Sequence, residues 1–510
     1  MGMRVYLKKD TALWTVEAQR GQTVLDLLQR EGVAGVHAIC AGKGTCKKCT
    51  VLVYLNDVWS MVLACETLVQ DGMTIQIPGE ADLQVAESGR CAVFPPDRDG
   101  WGYGIACDIG TTTVVCHLCD LKSGRRLATI SGGNAQRVFG GDVISRIQAS
   151  VEGKRQQLTE AVVKQINGFI AGLCVEARVP REEIHLMAIA ANTVMSHLFA
   201  GLAPDSVGTA PFQGLSLFGE CLDAGKLGMS FEGAVYIAPS ISGYVGGDIT
   251  CDLLATQLFY AEQPKLLIDI GTNGEMVLGC GRNFVCCASA AGPAFEGAEI
   301  TMGMTASQGA ISRVAIENGQ VVIEVIGGGE PRGICGSGLI DALAVMLELG
   351  AVDETGRMPD CNEAPPELQN MIDLEGNEAC FFLDKAKRVF ITQGDVRRIQ
   401  LAKAAIYAGV VILAQEYGIQ IKDIAQLMLA GGFGSVMNPF SAARIGLIPA
   451  ELLGVTVTVG NAAGEGAVSA LLSAGAREQL AAIQNDCRYI ELSSQKQFND
   501  AYIDAMMFGV

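Results

Sequence analysis

Apolar and polar positions alternate along the first twenty residues, so MRVYLKKD and ALWTVEAQ read as two strands of a β-hairpin, each with one buried face. TVLDLLQREG shifts to helical spacing, and TIQIP at 74–78 returns to a short closing strand. From Gly79 to Tyr103 the chain, GEADLQVAESGRCAVFPPDRDGWGY, holds no period and reads as a tether. Such a tether reaches roughly 80 Å extended and about 28 Å as a coil. Only Phe94 and Trp101 argue for packing on the next domain. Beyond it, two apolar strands, GIACDI and KLLIDI, each run into the tetrapeptide DIGT, a second strand and a turn. DVRRIQLAKAAIYAGVVILAQEYG at 395–418 reads as a long helix with Asp395 as its N-cap and Lys403 on the solvent side.

Length and composition set the scale. A chain of 510 residues exceeds one hydrophobic core, and 49% hydrophobic residues with 62 scattered glycines fit a multidomain α/β protein. A net charge of −18 without a Lys/Arg stripe disfavours nucleic acid and anionic membranes as partners. The chain starts without a signal-peptide core, and no apolar stretch reaches the ~18 residues of a bilayer span, so a cytoplasmic protein is expected. Most of the 18 cysteines lie in apolar runs such as VVCHLC and FVCCAS and read as reduced core residues. The four histidines, His37, His117, His185 and His197, show no ligand spacing.

One cysteine group is different. Cys40, Cys46 and Cys49 have the spacing C-x5-C-x2-C, and Cys65 follows in LACET. Four thiolates suffice for one iron–sulfur cluster, and Gly42 and Gly44 permit a loop whose amides point at sulfur. Zinc competes, because C-x2-C is also half of a zinc knuckle. The flanking strands and helix resemble the β-grasp [2Fe–2S] ferredoxins, in which a short LxC(Q/E)T segment supplies the fourth ligand; Cys65 takes that place here, and Cys91 is a weaker candidate.

The doubled DIGT turns point to phosphate. An Asp at a strand end followed by Gly and Thr makes a hairpin whose amides and hydroxyls can cradle phosphate while the carboxylate holds hydrated Mg²⁺. The candidates are Asp108, Gly110, Thr111, Thr112 and Thr113 in one copy, and Asp269, Gly271, Thr272, Asn273 and Gly274 in the other. Asp248 and Glu275 are candidates for orienting water, and an N-cap or hairpin ion pair is the structural alternative for each carboxylate. There is no Walker A sequence, and a strand follows each DIGT where a P-loop needs a helix. The repeat resembles the acetate and sugar kinase, heat-shock chaperone and actin superfamily, with its ribonuclease H-like lobes. LMLAGGFGSVMNP matches that superfamily's adenosine motif through Gly431, Gly432, Phe433 and Gly434. SGYVGGDIT and GNAAGEGAVSALL resemble its two connecting helices, with small residues for close packing. Ser337 and Gly338, in GICGSGLIDALA, are further phosphate candidates, or simply helix-capping residues.

The order of parts resembles the reductive activators of corrinoid-dependent enzymes, in the C-x5-C-x2-C…LAC ligands, GIACDIGTTTV, LIDIGTNGEM, AGPAFEGAEI, ICGSGLID, QGDVRRIQLAKAAI, LAGGFG and ELSSQKQFNDAYIDAM. The expected divisions are a cluster domain at 1–78, a linker at 79–103, and two lobes of an actin-like ATPase at 104–262 and 263–510. Methanogen activators carry C-terminal C-x2-C clusters that this chain lacks, which places it with the bacterial [2Fe–2S] branch. The resemblance implies a [2Fe–2S] cluster, ATP and Mg²⁺ as cofactors. It implies one-electron reduction of an inactive Co(II) corrinoid protein to Co(I), a ferredoxin or flavodoxin as donor, and a homodimer. Moving such a transfer uphill by ~250 mV takes roughly 6 kcal/mol. A small-molecule kinase with a redox-sensing domain, and a docking module that hydrolyses nothing, are the alternatives.

Overall fold

The computed structural model describes the chain except residues 1–2, 10–11, 34–35, 37, 39, 45–47, 56–57, 78–88, 90, 272, 298, 360–362, 367, 376–377, 435 and 510. Two compact units share it: residues 1–81, 93–251 and 466–481 form one, and 82–92, 252–465 and 482–510 the other.

The first unit opens with a small sheet. Strands β1 (Met3–Lys9) and β2 (Ala12–Ala18) form the expected hairpin, helix α1 (Val24–Arg30) follows, and β3 (Thr50–Leu55), β4 (Val58–Leu63) and β5 (Thr74–Gln76) complete the order β2-β1-β5-β3-β4. The alternation explains the packing: Val5, Leu7, Val51, Val53 and Ile75 close on Val24, Leu27 and Leu28 of α1, all buried. Thr23 caps α1 in a reciprocal capping box with Asp26. Gln29 of α1 donates to the Val138 carbonyl and accepts from Lys154 Nζ at 3.0 Å, fixing this domain to the rest of its unit.

The same unit holds a six-stranded sheet: β6 (Tyr103–Ile109), β7 (Thr113–Asp120), β8 (Arg126–Gly133), β9 (Ile184–Ala191), β10 (Cys221–Asp223) and β11 (Ala234–Ile237) in the order β10-β11-β9-β6-β7-β8. Helices α2 (Val143–Ala149), α3 (Arg155–Ala177) and α4 (Thr193–Phe199) accompany it, and α5 (Gly247–Ala255) follows. Taken as one run, 143–177 is long and apolar enough to cross a bilayer, contrary to expectation. It is kinked at Gly153, however, and Leu158, Val162, Ile166, Ile170 and Leu173 are buried in the core with the sheet, as in a soluble helix.

The second unit repeats the plan. Its sheet joins β12 (Lys265–Ile270), β13 (Gly274–Cys280) and β14 (Asn283–Ser289) as a meander, followed later in the chain by two strands parallel to β12. Between them lie two three-stranded sheets, β15 (Ala310–Glu317), β16 (Gln320–Val325) and β17 (Gly333–Ile334), then, after α6 (Gly336–Leu349), β18 (Ile372–Glu375), β19 (Glu378–Phe382) and β20 (Phe390–Thr392). Helix α7 (Gln393–Tyr417) leads to β21 (Gln426–Ala430), the single turn α8 (Gly431–Gly434), α9 (Pro439–Arg444), β22 (Thr456–Gly460), α10 (Ala462–Leu472), α11 (Ala474–Asp486), β23 (Cys487–Tyr489) and α12 (Lys496–Asp504). The order β22-β21-β12-β13-β14 matches β11-β9-β6-β7-β8 strand for strand, so the DIGT echo is a duplicated fold. The division between units falls inside α5 and inside α10, the two helices expected to connect the lobes. A Cβ at Gly466 of α10 would lie 2.3 Å from the Cys251 carbonyl oxygen of α5, so the small residue is what lets them touch.

Three sequence expectations fail. Asp395 is not the N-cap of α7; Thr392 is, with Asp395 as the third residue of a capping box. Lys403 is fully buried: its ammonium donates to the Met507 carbonyl and sits 5.1 Å over the Phe508 ring. The described part of 79–103 is bonded chain. Gly89 N–H donates to Glu465 Oε1 at 3.0 Å, Ala92 N–H to the Ala255 carbonyl at 3.2 Å, and Phe94 N–H to Ser469 Oγ at 3.2 Å. An extended segment lying on a helix has no period of its own, which is why it reads as a tether.

Candidate cluster and nucleotide sites

The cluster loop is built by the β3–β4 hairpin, whose open end carries Cys49 just before β3 and Cys65 just after β4. The Ala64 N–H donates to the Cys49 carbonyl at 2.8 Å, and Leu25 N–H of α1 to the Ala64 carbonyl at 2.9 Å. The Sγ atoms of Cys49 and Cys65 come within 3.3 Å. Burial, then Cys49, Cys40 and Glu66, push the Cys65 thiol up to about 12. Thiols that oppose one another's ionisation fit a set awaiting a cation that would stabilise the thiolates together. Gly44 has φ +74°, and a Cβ there would meet Glu66 Oε1 at 2.6 Å, so the loop closes over Cys65 only with glycine at 44. Cys46 lies outside the described residues. Cys91 is not of this group: its thiol faces the Val459 carbonyl in the second unit, at 3.7 Å.

The first DIGT hairpin sits at the end of β6, whose residues Ile105–Cys107 and Ile109 are fully buried and carry the half-buried Asp108 to the sheet's rim. Residues 110–113 make its turn, since Ile109 pairs with Val114. Two asparagines that the motif search passed over hold it. Asn134 donates through Nδ2 to the Gly110 carbonyl and through its backbone N–H to that of Thr112, both at 2.8 Å. Asn192, the N-cap of α4, donates to Thr111 Oγ1 at 3.1 Å. The fully buried Arg146 donates to the Thr111 carbonyl. A Cβ at Gly246 would lie 2.4 Å from Asn192 Cα and 2.7 Å from Asp248 Oδ1, so Asp248 stands beside Asn192 and the Thr111 side of the turn. The sequence signal for both asparagines is an Asn between an apolar strand and a helical pattern.

The second hairpin is one residue tighter. Ile270 pairs with Gly274, and Asp269 with Glu275, two carboxylates on one face of adjacent strands; in the first hairpin the partner of Asp108 is Val115. Asp252 of α5, fully buried, shares a side-chain hydrogen bond with Asp269, and burial holds Asp269 above the usual carboxylate range. Two buried carboxyls in contact need a proton or a cation between them, which fits a Mg²⁺ site. Asp252 follows Asp248 by one helical turn, the signal that was missed. Thr272 lies outside the described residues.

At the end of β21 the chain turns past Asp269 with Gly431 at φ +84°, where a Cβ would meet Asp269 Oδ1 at 2.3 Å. Gly432 is exposed, and a Cβ there would meet nothing within 4 Å, leaving room for a planar ring. Phe433 stacks on Phe295 at 5.6 Å, and Gly434 is buried. Ser337 does not cap α6, whose N-cap is Cys335; its hydroxyl donates to the Ser312 carbonyl at 2.9 Å. Gly338 packs on β15, where a Cβ would lie 2.3 Å from the Ile311 carbonyl oxygen.

Three family models match the chain in succession: a 2Fe-2S iron-sulfur cluster binding domain over residues 8–70, the RACo middle region over 103–260, and the C-terminal domain of RACo, the ASKHA domain, over 263–509. The corrinoid activation enzyme RamQ of Eubacterium limosum is 34% identical across 93% of this chain and 94% of its own. A Co(II) methylated amine-specific corrinoid protein reductase of Methanosarcina barkeri is 26% identical across 68% of this chain and 66% of its own. Among solved structures, a reductive activator for corrinoid, iron-sulfur protein superposes with a TM-score of 0.72 at 30% identity, over 99% of this chain and 98% of that one.

Proposed function

The chain belongs to the family of reductive activators of corrinoid proteins, and from that premise we propose that it uses MgATP to drive one electron onto a corrinoid protein stranded as Co(II), restoring Co(I). The observation that carries the reading is the union, in one chain, of a ferredoxin-type domain presenting Cys40, Cys49 and Cys65 with two copies of a phosphate-hairpin sheet. A [2Fe–2S] cluster supplies a one-electron carrier when bound. Cys40, Cys46, Cys49 and Cys65 would hold it on residues 1–78, while 104–262 and 263–510 supply the two halves of the ATP site. In this reading Asp269, beside Asp252, holds Mg²⁺, and Asp108 serves the same ion from its own hairpin. The turn residues Gly110 to Thr113 and Gly271 to Gly274, with the α6 start at Ser337 and Gly338, present donors to phosphate. Gly431 to Gly434 admit the adenosine. Asp248 and Glu275 stand where a carboxylate can orient water.

The donor is a low-potential ferredoxin or flavodoxin, the working form a homodimer, and the compartment the cytoplasm. An anaerobic mixture of protein, reductant, MgATP and a Co(II) corrinoid protein tests the reading through the Co(I) absorption band. The band is expected only with ATP and is lost in Asp269→Ala. Equal reduction by Asp269→Ala, or transfer of phosphate from ATP to a metabolite in place of corrinoid reduction, would overturn it.

A further inference from the structure

The segment that leads from the cluster domain to β6 is splinted along α10. Its hydrogen bonds reach Glu465 from Gly89, Ser469 from Phe94 and Leu472 from Asp97, positions one turn apart on a single helix face. At the far end Asp97 accepts from Ala474 N–H at 2.8 Å and from Ser473 Oγ at 3.2 Å, capping α11. At the near end Gly89 makes an antiparallel bridge with Gly460, and a Cβ there would lie 2.9 Å from the Val459 carbonyl oxygen and 3.0 Å from that of Asn461. Only a glycine admits this approach. Cys91 lies between two acids, since the charges of Asp252 and Glu465 both reach its thiol. Asp252 is the residue bonded to Asp269. One end of the splint therefore touches the carboxyl group assigned above to Mg²⁺, and the chain on its other side of Gly89 runs directly to the cluster domain.

We infer that Gly89 and Glu465 are positioning residues that couple the state of the second-hairpin carboxylates to electron delivery, by gripping or releasing the stem of the cluster domain. The inference rests on the nucleotide site proposed above. Glu465 sits in the first turn of α10, and its Oε1 accepts from a backbone N–H instead of a side chain. A cation or phosphate that draws on this carboxylate competes with that N–H, so occupancy and grip are linked through one oxygen. Reciprocity follows: holding the stem in one position changes nucleotide affinity by the same factor.

Hydrogen exchange of the full-length, cluster-loaded protein tests this without any corrinoid partner. A non-hydrolysable ATP analogue with Mg²⁺ should change the exchange rate of the 89–97 segment at least tenfold. Gly89→Val should keep ATP hydrolysis and cluster reduction of ferricyanide within twofold of wild type, while ATP-dependent Co(II) reduction falls at least tenfold. An unchanged exchange rate at 89–97 on nucleotide binding overturns the inference, as does wild-type Co(II) reduction by Gly89→Val. Failure of the wild-type protein to reduce any Co(II) partner would instead strike the proposed function, and the exchange measurement would still decide the splint.

Discussion

Lys403 shows how a single side chain can be tuned by a distant part of the chain. Burial brings its pKa down to about 8, against 10.5 when unfolded. Below about 8 the lysine is protonated in both states and the folded state carries the full desolvation cost. Between about 8 and 10.5 only the unfolded state keeps the proton, so the cost disappears as pH rises. Relative to Lys403→Met, the wild type should therefore gain about 1 kcal/mol of stability between pH 7 and pH 9, read as the difference between their denaturation midpoints at each pH. The sequence gave no warning of this burial, because the Met507 and Phe508 partners are about a hundred positions away and α7 shows apolar residues on most faces. The cluster ligands were legible for the opposite reason: C-x5-C-x2-C and LACET are local, and their spacing survives without knowledge of the fold. Asp252 falls between these cases. It was visible as an acid one turn after Asp248, but only the buried bond to Asp269 distinguishes it from a solvated helix face.

Among elements, the two hairpins show what duplication preserves and what it relaxes. Strand order and the DIGT turn are shared, yet one residue of difference in turn length sets Glu275 opposite Asp269 where Val115 faces Asp108. Equal motifs predicted equal turns, since register depends on pairing that four identical residues do not fix. The close crossing of α5 and α10 was better signposted by glycine. Gly466→Ala would push a methyl group into the Cys251 carbonyl, a form of overpacking that costs about 1–3 kcal/mol. Thermal unfolding should register that loss, and an unchanged midpoint would mean the helices part without cost. The cluster loop makes a similar demand on one residue. Gly44→Val adds a side chain at φ +74° against Glu66, and the variant should lose the visible absorption of the cluster while MgATP hydrolysis persists.

For the whole molecule, chemistry of two kinds is divided between separately built sites. Chelation of Mg²⁺ by EDTA should abolish ATP-dependent Co(II) reduction and leave the cluster spectrum unaltered; bleaching of the cluster by the same treatment would show that the sites are not independent. The acidic surface, with a net charge of −18, adds that partners meet a repulsive field unless their docking faces are basic, so ionic strength should alter association more than turnover. The meeting of Cys49 and Cys65 carries a consequence for the life of the protein before it works at all. A newly made chain without iron already holds two sulfurs 3.3 Å apart, so dioxygen could take two electrons and two protons from them and close a disulfide across the ligand loop. Maturation is thus a race between metal delivery and oxidation, and a chain that loses it must be reduced before it can be filled.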